Sequence, residues 1–238
     1  MSYKKVNILI YDDKFDACYN IAEKFKLINT KGLANIAISG GSSPILLFEI
    51  MRDHFQKENF NNINFFWVDE RYVEKEDPES NFGNFYNILI KTNIIDINKV
   101  FPMYKKNNRD ETILEIETTI KSLVKRKGRF PQFDLVILGL GNDGHTASLF
   151  PDNIAALSSN EIIIKTENPY SHQKRLTLTK SVINNAKAID FLVFGESKAN
   201  KVYEVLEKKY KDLPTSYIKQ DNSVSWYLDR KSAEKIYI

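Results

Sequence analysis

The sequence predicts an α/β fold, a single domain built on a mostly parallel sheet with helices on both faces. Three observations predict it. Short apolar or β-branched runs alternate with segments whose apolar residues recur at i, i+3 and i+4, the order expected of strand–helix–strand units. Several of the runs are apolar at almost every position, as in strands buried on both faces. The chain has 238 residues, 42% of them hydrophobic, which is enough for a proper core; no linker, repeat or low-complexity tract divides it, so residues 1–238 read as one domain.

The first run, 6-VNILIY-11, is a predicted strand. A helix follows over 13-DKFDACYNIAEKFKLI-28, with Phe15, Cys18, Ile21, Ala22 and Phe25 on one face, which assigns the single cysteine to the core. Strand 34-ANIAIS-39 then passes through Gly40, Gly41, Ser42 and Ser43 into a helix over 44–57, whose Pro44 suits a first helical position. Two readings fit this turn. Its glycines allow close backbone approach and its N–H groups suit an anion on the helix dipole; alternatively, Ser42 or Ser43 merely caps the helix. Strand 63-INFFWVD-69 ends on Asp69, Glu70 and Arg71, then enters a charged loop with Pro78, Ser80 and Asn81. Adjacent charges at a strand end fit plain loop and site loop equally.

Helical periods return over 82–92 and 110–126, and the run 121-KSLVKRKGR-129 reads as a solvated helix face. The strand 133-FDLVILGL-140 opens into 139-GLGNDGHTASLFP-151, whose first six residues spell G-x-G-x-x-G. A dinucleotide clamp would need a long helix starting inside those glycines, with Glu167 as its ribose-binding acid. Pro151 comes too soon, and 152–160 reads as loop. What remains is a glycine turn carrying Asp143 and His145, at the edge where open α/β sheets hold ligands. Strands 161-EIIIKTE-167, 174-KRLTLT-179 and 190-DFLVFG-195 follow, then a helix over 197–210 with the solvated run 207–211. Arg175 shares a strand face with Thr177 and Thr179, and Lys198 sits just past a strand end, so both are candidate phosphate ligands.

Composition excludes several classes. Net charge is +3 with both signs mixed along the chain, so the footprint of a nucleic-acid binder is absent while a small anionic ligand fits. The start lacks a signal-peptide core and no apolar run reaches membrane-spanning length, so a cytosolic protein without membrane contact is expected. His54, His145 and His172 lack metal-ligand spacing, so no metal and no cofactor is expected. His54 and His172 are read as structural.

The set 39-SGGSSP-44, 69-DER-71 with 78-PESNFG-83, 139-GLGNDGHTASLFP-151, 175-RLTLT-179, 195-GESK-198 and 226-WYLD-229 resembles the 6-phosphogluconolactonase family, within the larger group that includes glucosamine-6-phosphate isomerase/deaminase. The likeness runs from about residue 6 to residue 235 in the family's order. It implies a modified Rossmann-like sheet and metal-free hydrolysis of 6-phospho-D-glucono-1,5-lactone in the oxidative pentose phosphate pathway; a monomer or weak homo-oligomer is expected. It also implies His145 as general base, Asp143 supporting its loop and Arg71 on the lactone side. Gly40, Gly41, Ser42, Ser43, Asp69, Arg175 and Lys198 would line the substrate and phosphate site. Ser43 stands where the family more often has Thr, a change that keeps both a hydroxyl and a backbone N–H.

The chemistry is consistent with that set. Lactone opening needs an activated water, a stabilised oxyanion and a proton for the departing ring oxygen, and one histidine can make both proton transfers. No G-x-S-x-G elbow supports a serine mechanism. In the isomerase branch the resemblance implies a glutamate where this chain has Phe150, and usually an aromatic residue where it has Arg71. The rivals are therefore that isomerase and a sugar-phosphate sensor without chemistry, for which His145 would have no use.

Overall fold

The computed structural model describes residues 6–103, 108–151, 153–208, 210, 212–219, 221 and 223–236. Its first half runs β1 (Asn7–Tyr11), α1 (Lys14–Thr30), β2 (Ala34–Ile38), α2 (Ser42–His54), β3 (Ile63–Trp67), β4 (Asp69–Arg71), α3 (Asn81–Phe85), β5 (Val100–Phe101) and α4 (Arg109–Leu123). The second half runs β6 (Arg126–Lys127), β7 (Phe130–Pro131), β8 (Leu135–Leu138), α5 (Ile154–Ser158), β9 (Ile163–Glu167), β10 (Lys174–Leu178), α6 (Lys180–Asn185), β11 (Ala188–Val193), α7 (Ala199–Leu206) and β12 (Val224–Asp229).

Seven strands form one parallel sheet in the order β1-β12-β11-β8-β2-β3-β5. From β2 the chain builds outward through β3 and β5; from β8 it builds the other way through β11 and β12. The order therefore reverses between β2 and β8, and the carboxyl ends of those two strands border a ready-made crevice. Every residue of β2, β3 and β8 is buried, so both faces of the sheet are covered. Alternation decides what covers them: Phe65 meets Phe25 of α1, whereas Phe66, pointing the other way, packs on Phe101 and Phe133.

Asp13 caps α1 by accepting from the N–H groups of Phe15 (2.7 Å) and Asp16 (3.1 Å). The buried stripe of α1 is Ala17, Cys18, Ile21, Ala22 and Phe25. Phe15, expected on that stripe, is instead exposed at the surface, where it and Tyr19 meet the ring of His54 edge-on. Burial pushes the Cys18 thiol up to about 12, as befits an inert core thiol.

Several expectations need correction. The strand expected over 63–69 leaves the main sheet at Val68, whose N–H still bonds to Ile38 O (2.9 Å) while its own carbonyl accepts from Leu178 N–H (2.7 Å). Beyond that switch Asp69–Arg71 is a strand, not loop. It pairs antiparallel with β10, which pairs antiparallel with β9, so the runs at 161–167 and 174–179 form a second, three-stranded sheet rather than joining the parallel one. The basic run 121–129 is helical only to Leu123; from Arg126 it turns through the hairpin β6–β7. Helix α2 starts at Ser42, two residues early, and the helix expected over 82–92 is α3 continued by a π-helical turn, Tyr86–Ile90. Short α5 lies in the stretch read as loop; Asp152 there, and residues 209 and 211 in the charge run 207–211, lie outside the described residues. Among the described residues no helix is long and apolar enough to cross a membrane.

Candidate active site

A cleft of about 630 Å³ opens where β2 and β8 end. The Gly-Gly-Ser-Ser turn forms one wall and the glycine turn after β8 the floor. Strands β4 and β10 of the second sheet form the opposite wall. Gly40, Gly41, Ser42, Ser43, Asp69, Arg71, Asp143, His145, Arg175 and Lys198 all line it, so five segments scattered over the chain meet here.

The glycine turn is shaped around its histidine. His145 Nδ1 lies 2.6 Å from Asp143 Oδ1, and the His145 N–H donates to the same oxygen at 3.1 Å. The loop closes with Gly141 N–H on His145 O (2.8 Å) and Gly144 N–H on Gly141 O (3.0 Å). Only glycine fits at 141, because a Cβ there would stand 2.1 Å from His145 Nδ1 and 2.6 Å from Asp143 Oδ1. Burial pushes the Asp143 carboxyl up, but the hydrogen bond and charge of His145 outweigh it and hold the group at about 2. An ionised Asp143 keeps the proton of the neutral imidazole on Nδ1, which leaves the lone pair on Nε2. No long helix follows the glycines, as the dinucleotide clamp would require; the next helix is the five-residue α5.

At the other wall, Gly41 precedes α2 with φ at +96° and no side chain caps the helix. The capping role weighed for Ser42 and Ser43 is therefore absent. Both occupy the first turn, where backbone N–H groups have no partner within the helix, and Pro44 stands third rather than first. That turn also lacks acidic residues, so the helix dipole presents its positive end to the cleft uncompensated. Lys198 reaches the same cleft from the turn after β11 and donates to Asn142 Oδ1 at 2.6 Å. Burial lowers its pKa, against the pull of Asp143.

The wall from the second sheet is a polar network. Asp69 Oδ2 accepts from Ser148 Oγ (2.6 Å) and lies 3.8 Å from the Arg175 guanidinium. The carboxylate of Asp69 is thus engaged in holding Ser148 and Arg175. Arg175 also lies over the Phe150 ring at 5.7 Å, and that ring packs against His145 as well, 4.8 Å between centroids. Arg71 donates to Glu79 O at 2.6 Å, while its buried Nε has no hydrogen-bond partner among the described residues. Between Asp69 and Arg71, the buried Glu70 carboxylate accepts from the N–H groups of Arg71 (2.7 Å), Asn81 (2.8 Å) and Phe82 (2.7 Å). It pins the start of α3 to β4.

Sequence reasoning missed Asn81, Asn142 and Tyr170, which also line the cleft. Asn81 and Asn142 lie inside quoted motifs, next to charged neighbours that drew the attention. Asn81 donates to Asp69 O (2.9 Å), and its amide fills the space beside the Gly40 Cα. His172 sits at the tip of the β9–β10 hairpin, with Nδ1 2.9 Å from Glu167 Oε1.

Taken together, the cleft offers an anchored imidazole, an open helix N-terminus and three cations, Arg71, Arg175 and Lys198. That set suits a small phosphorylated ligand undergoing proton transfer.

Comparison with known proteins agrees in kind. A model of the family described as glucosamine-6-phosphate isomerases/6-phosphogluconolactonase matches residues 16–226. The chain is 32% identical over 231 residues to 6-phosphogluconolactonase of Haemophilus influenzae, covering 94% of this chain and 97% of that one. To the Synechocystis 6-phosphogluconolactonase it is 35% identical over 216 residues, covering 89% and 88%. The solved structure of 6-phosphogluconolactonase from Trypanosoma brucei is similar with a TM-score of 0.84 and 25% identity, over 98% of this chain and 100% of that one.

Proposed function

The chain belongs to the glucosamine-6-phosphate isomerase/6-phosphogluconolactonase family, and from that membership and the geometry of its cleft we propose that it hydrolyses 6-phospho-D-glucono-1,5-lactone to 6-phospho-D-gluconate. The observation that carries the choice is the surroundings of His145: one imidazole oriented by Asp143, with the Phe150 ring against it where the isomerase branch is expected to place an acid.

His145 Nε2 takes a proton from water as the oxygen attacks the lactone carbonyl carbon. The carbonyl oxygen becomes an oxyanion facing the Arg71 guanidinium. When the bond from that carbon to the ring oxygen breaks, the imidazolium returns its proton to the ring oxygen, and the new carboxylic acid ionises to release one proton per turnover. The phosphate lies at the N–H groups of Ser42 and Ser43 with Lys198 and Arg175 beside it, which fixes the carbonyl over the imidazole. No metal enters these steps. Isomerisation of an amino sugar needs a second proton carrier for ring opening, and the carboxylates lining the cleft, Asp69 and Asp143, are both engaged.

The test is base uptake on freshly generated 6-phosphogluconolactone, corrected for spontaneous opening, beside ammonia release from glucosamine-6-phosphate at equal enzyme. Lactone turnover without ammonia is expected. Ammonia release with no excess lactone hydrolysis would assign the cleft to the isomerase branch, and binding of 6-phosphogluconate with neither activity would make the protein a sensor.

A further inference from the structure

The hairpin joining β9 to β10 projects beside Arg71 and Arg175 and carries Tyr170, which is 72% exposed although it lines the same cleft as His145. A large aromatic residue left mostly exposed at the mouth of a polar cleft adds little to the core. The tip that holds it is nonetheless tightly built. Asn168 Oδ1 accepts from the N–H groups of Tyr170 (2.8 Å) and Ser171 (3.1 Å), and Asn168 O accepts from His172 N–H at 2.9 Å. His172 adopts a left-handed φ of +56°, a conformation that costs energy outside glycine and is held here by the tip's hydrogen bonds.

A second tie joins this tip to the machinery of the opposite loop. The Gln173 side-chain amide donates to the Glu79 carboxylate, and the backbone carbonyl of Glu79 accepts from the Arg71 guanidinium at 2.6 Å. The tip and Arg71 are thus held by one residue.

We propose that Tyr170 is a specificity-determining residue whose ring covers the carbon skeleton of the bound sugar phosphate. The chemistry is general: a sugar acid presents C–H patches between its hydroxyls, and an aromatic ring with two rotatable bonds offers a broad, rigid apolar surface to them at low entropy cost. The polar groups of the cleft take the phosphate and the reacting carbonyl; Tyr170 supplies the apolar contact that the remaining carbons need. The choice of ligand rests on the sugar-phosphate function proposed above.

Three substitutions test it. Tyr170→Ala is expected to raise KM for the lactone about three- to tenfold, with kcat lowered by less than about twofold, as for loss of one aromatic contact made equally in ground and transition states. Tyr170→Phe is expected to keep KM within about twofold of wild type, because the ring and not the hydroxyl makes the contact. Tyr170→Trp adds a fluorophore at the rim, while Trp67 and Trp226 are both buried, so its emission should respond to 6-phosphogluconate and not to inorganic phosphate alone. A wild-type KM in the alanine variant, an equal loss in the phenylalanine variant, or an indole indifferent to 6-phosphogluconate would each overturn the proposal. Should the wild-type protein fail to open the lactone, the proposed reaction falls, while titrating the tryptophan variant with 6-phosphogluconate and glucosamine-6-phosphate still decides whether this ring meets a sugar phosphate.

Discussion

His145 shows how little separates a structural histidine from a base. His54 lies edge-on against Phe15 and Tyr19, and His172 pairs with Glu167 at an exposed turn. His145 alone of the three lines the cleft with its Nδ1 held by a carboxylate. Replacing it with alanine is expected to lower kcat by about 10² to 10⁴, the range for a lost general base, while affinity for 6-phosphogluconate stays close to wild type. Turnover near wild type above the spontaneous rate would return His145 to a structural role. Gly141→Ala is a finer probe. Its methyl would collide with the imidazole and with Asp143, so kcat is expected to fall about tenfold or more from misplacement of the base alone. Thermal unfolding of that variant should stay near wild type if the loop yields locally. An unchanged kcat would show that the ring has room to move without consequence. At this scale the sequence revealed the residue types and their spacing, but not that the Asp69 carboxylate is occupied by Ser148 and Arg175, because those partners lie 79 and 106 positions away in the chain.

Among the elements, β4 matters most for the site, and it was the least legible. Its three residues are all charged, which reads as loop, yet Asp69 and Glu70 are buried. Their cost is met by partners on α3, β10 and the glycine turn rather than by local sequence. Burial pushes the Glu70 carboxyl up to about 7, against the three backbone N–H groups that favour its ionised form. Since this lies above the ordinary carboxylate value near 4.3 of the unfolded chain, the stability contributed by Glu70 is fully present below about pH 4.3 and is lost as pH rises through about 7. A glutamine cannot ionise and escapes that loss. Glu70→Gln is therefore expected to be increasingly favoured relative to wild type as pH rises from about 5 to about 8, read as the difference in Tm between the two proteins at each pH. A difference that stays constant across that range would mean that Glu70 does not change charge there in the folded protein.

For the whole molecule, one apolar core includes Phe65 and Val136 of the parallel sheet together with Ile163, Leu176 and Leu178 of the smaller one. The two sheets are therefore expected to unfold together, with far-UV and near-UV circular dichroism tracing one coincident denaturant transition. Two separated transitions would make the antiparallel sheet an independent unit and refute the single-domain assignment. The sequence by itself determined the α/β class, the buried central strands, the helix periods and the polar residue types that line the cleft, because hydrophobic period and residue type are local properties. It also located the turns at the ends of β2 and β8, through their glycines. Only the tertiary structure decided that β12 lies beside β1, that the strand from Ile63 breaks at Val68 to start a second sheet, and that Asn81, Asn142 and Tyr170 complete the cleft. Strand pairing and the meeting of distant loops depend on contacts between residues far apart in the chain, which no local pattern encodes.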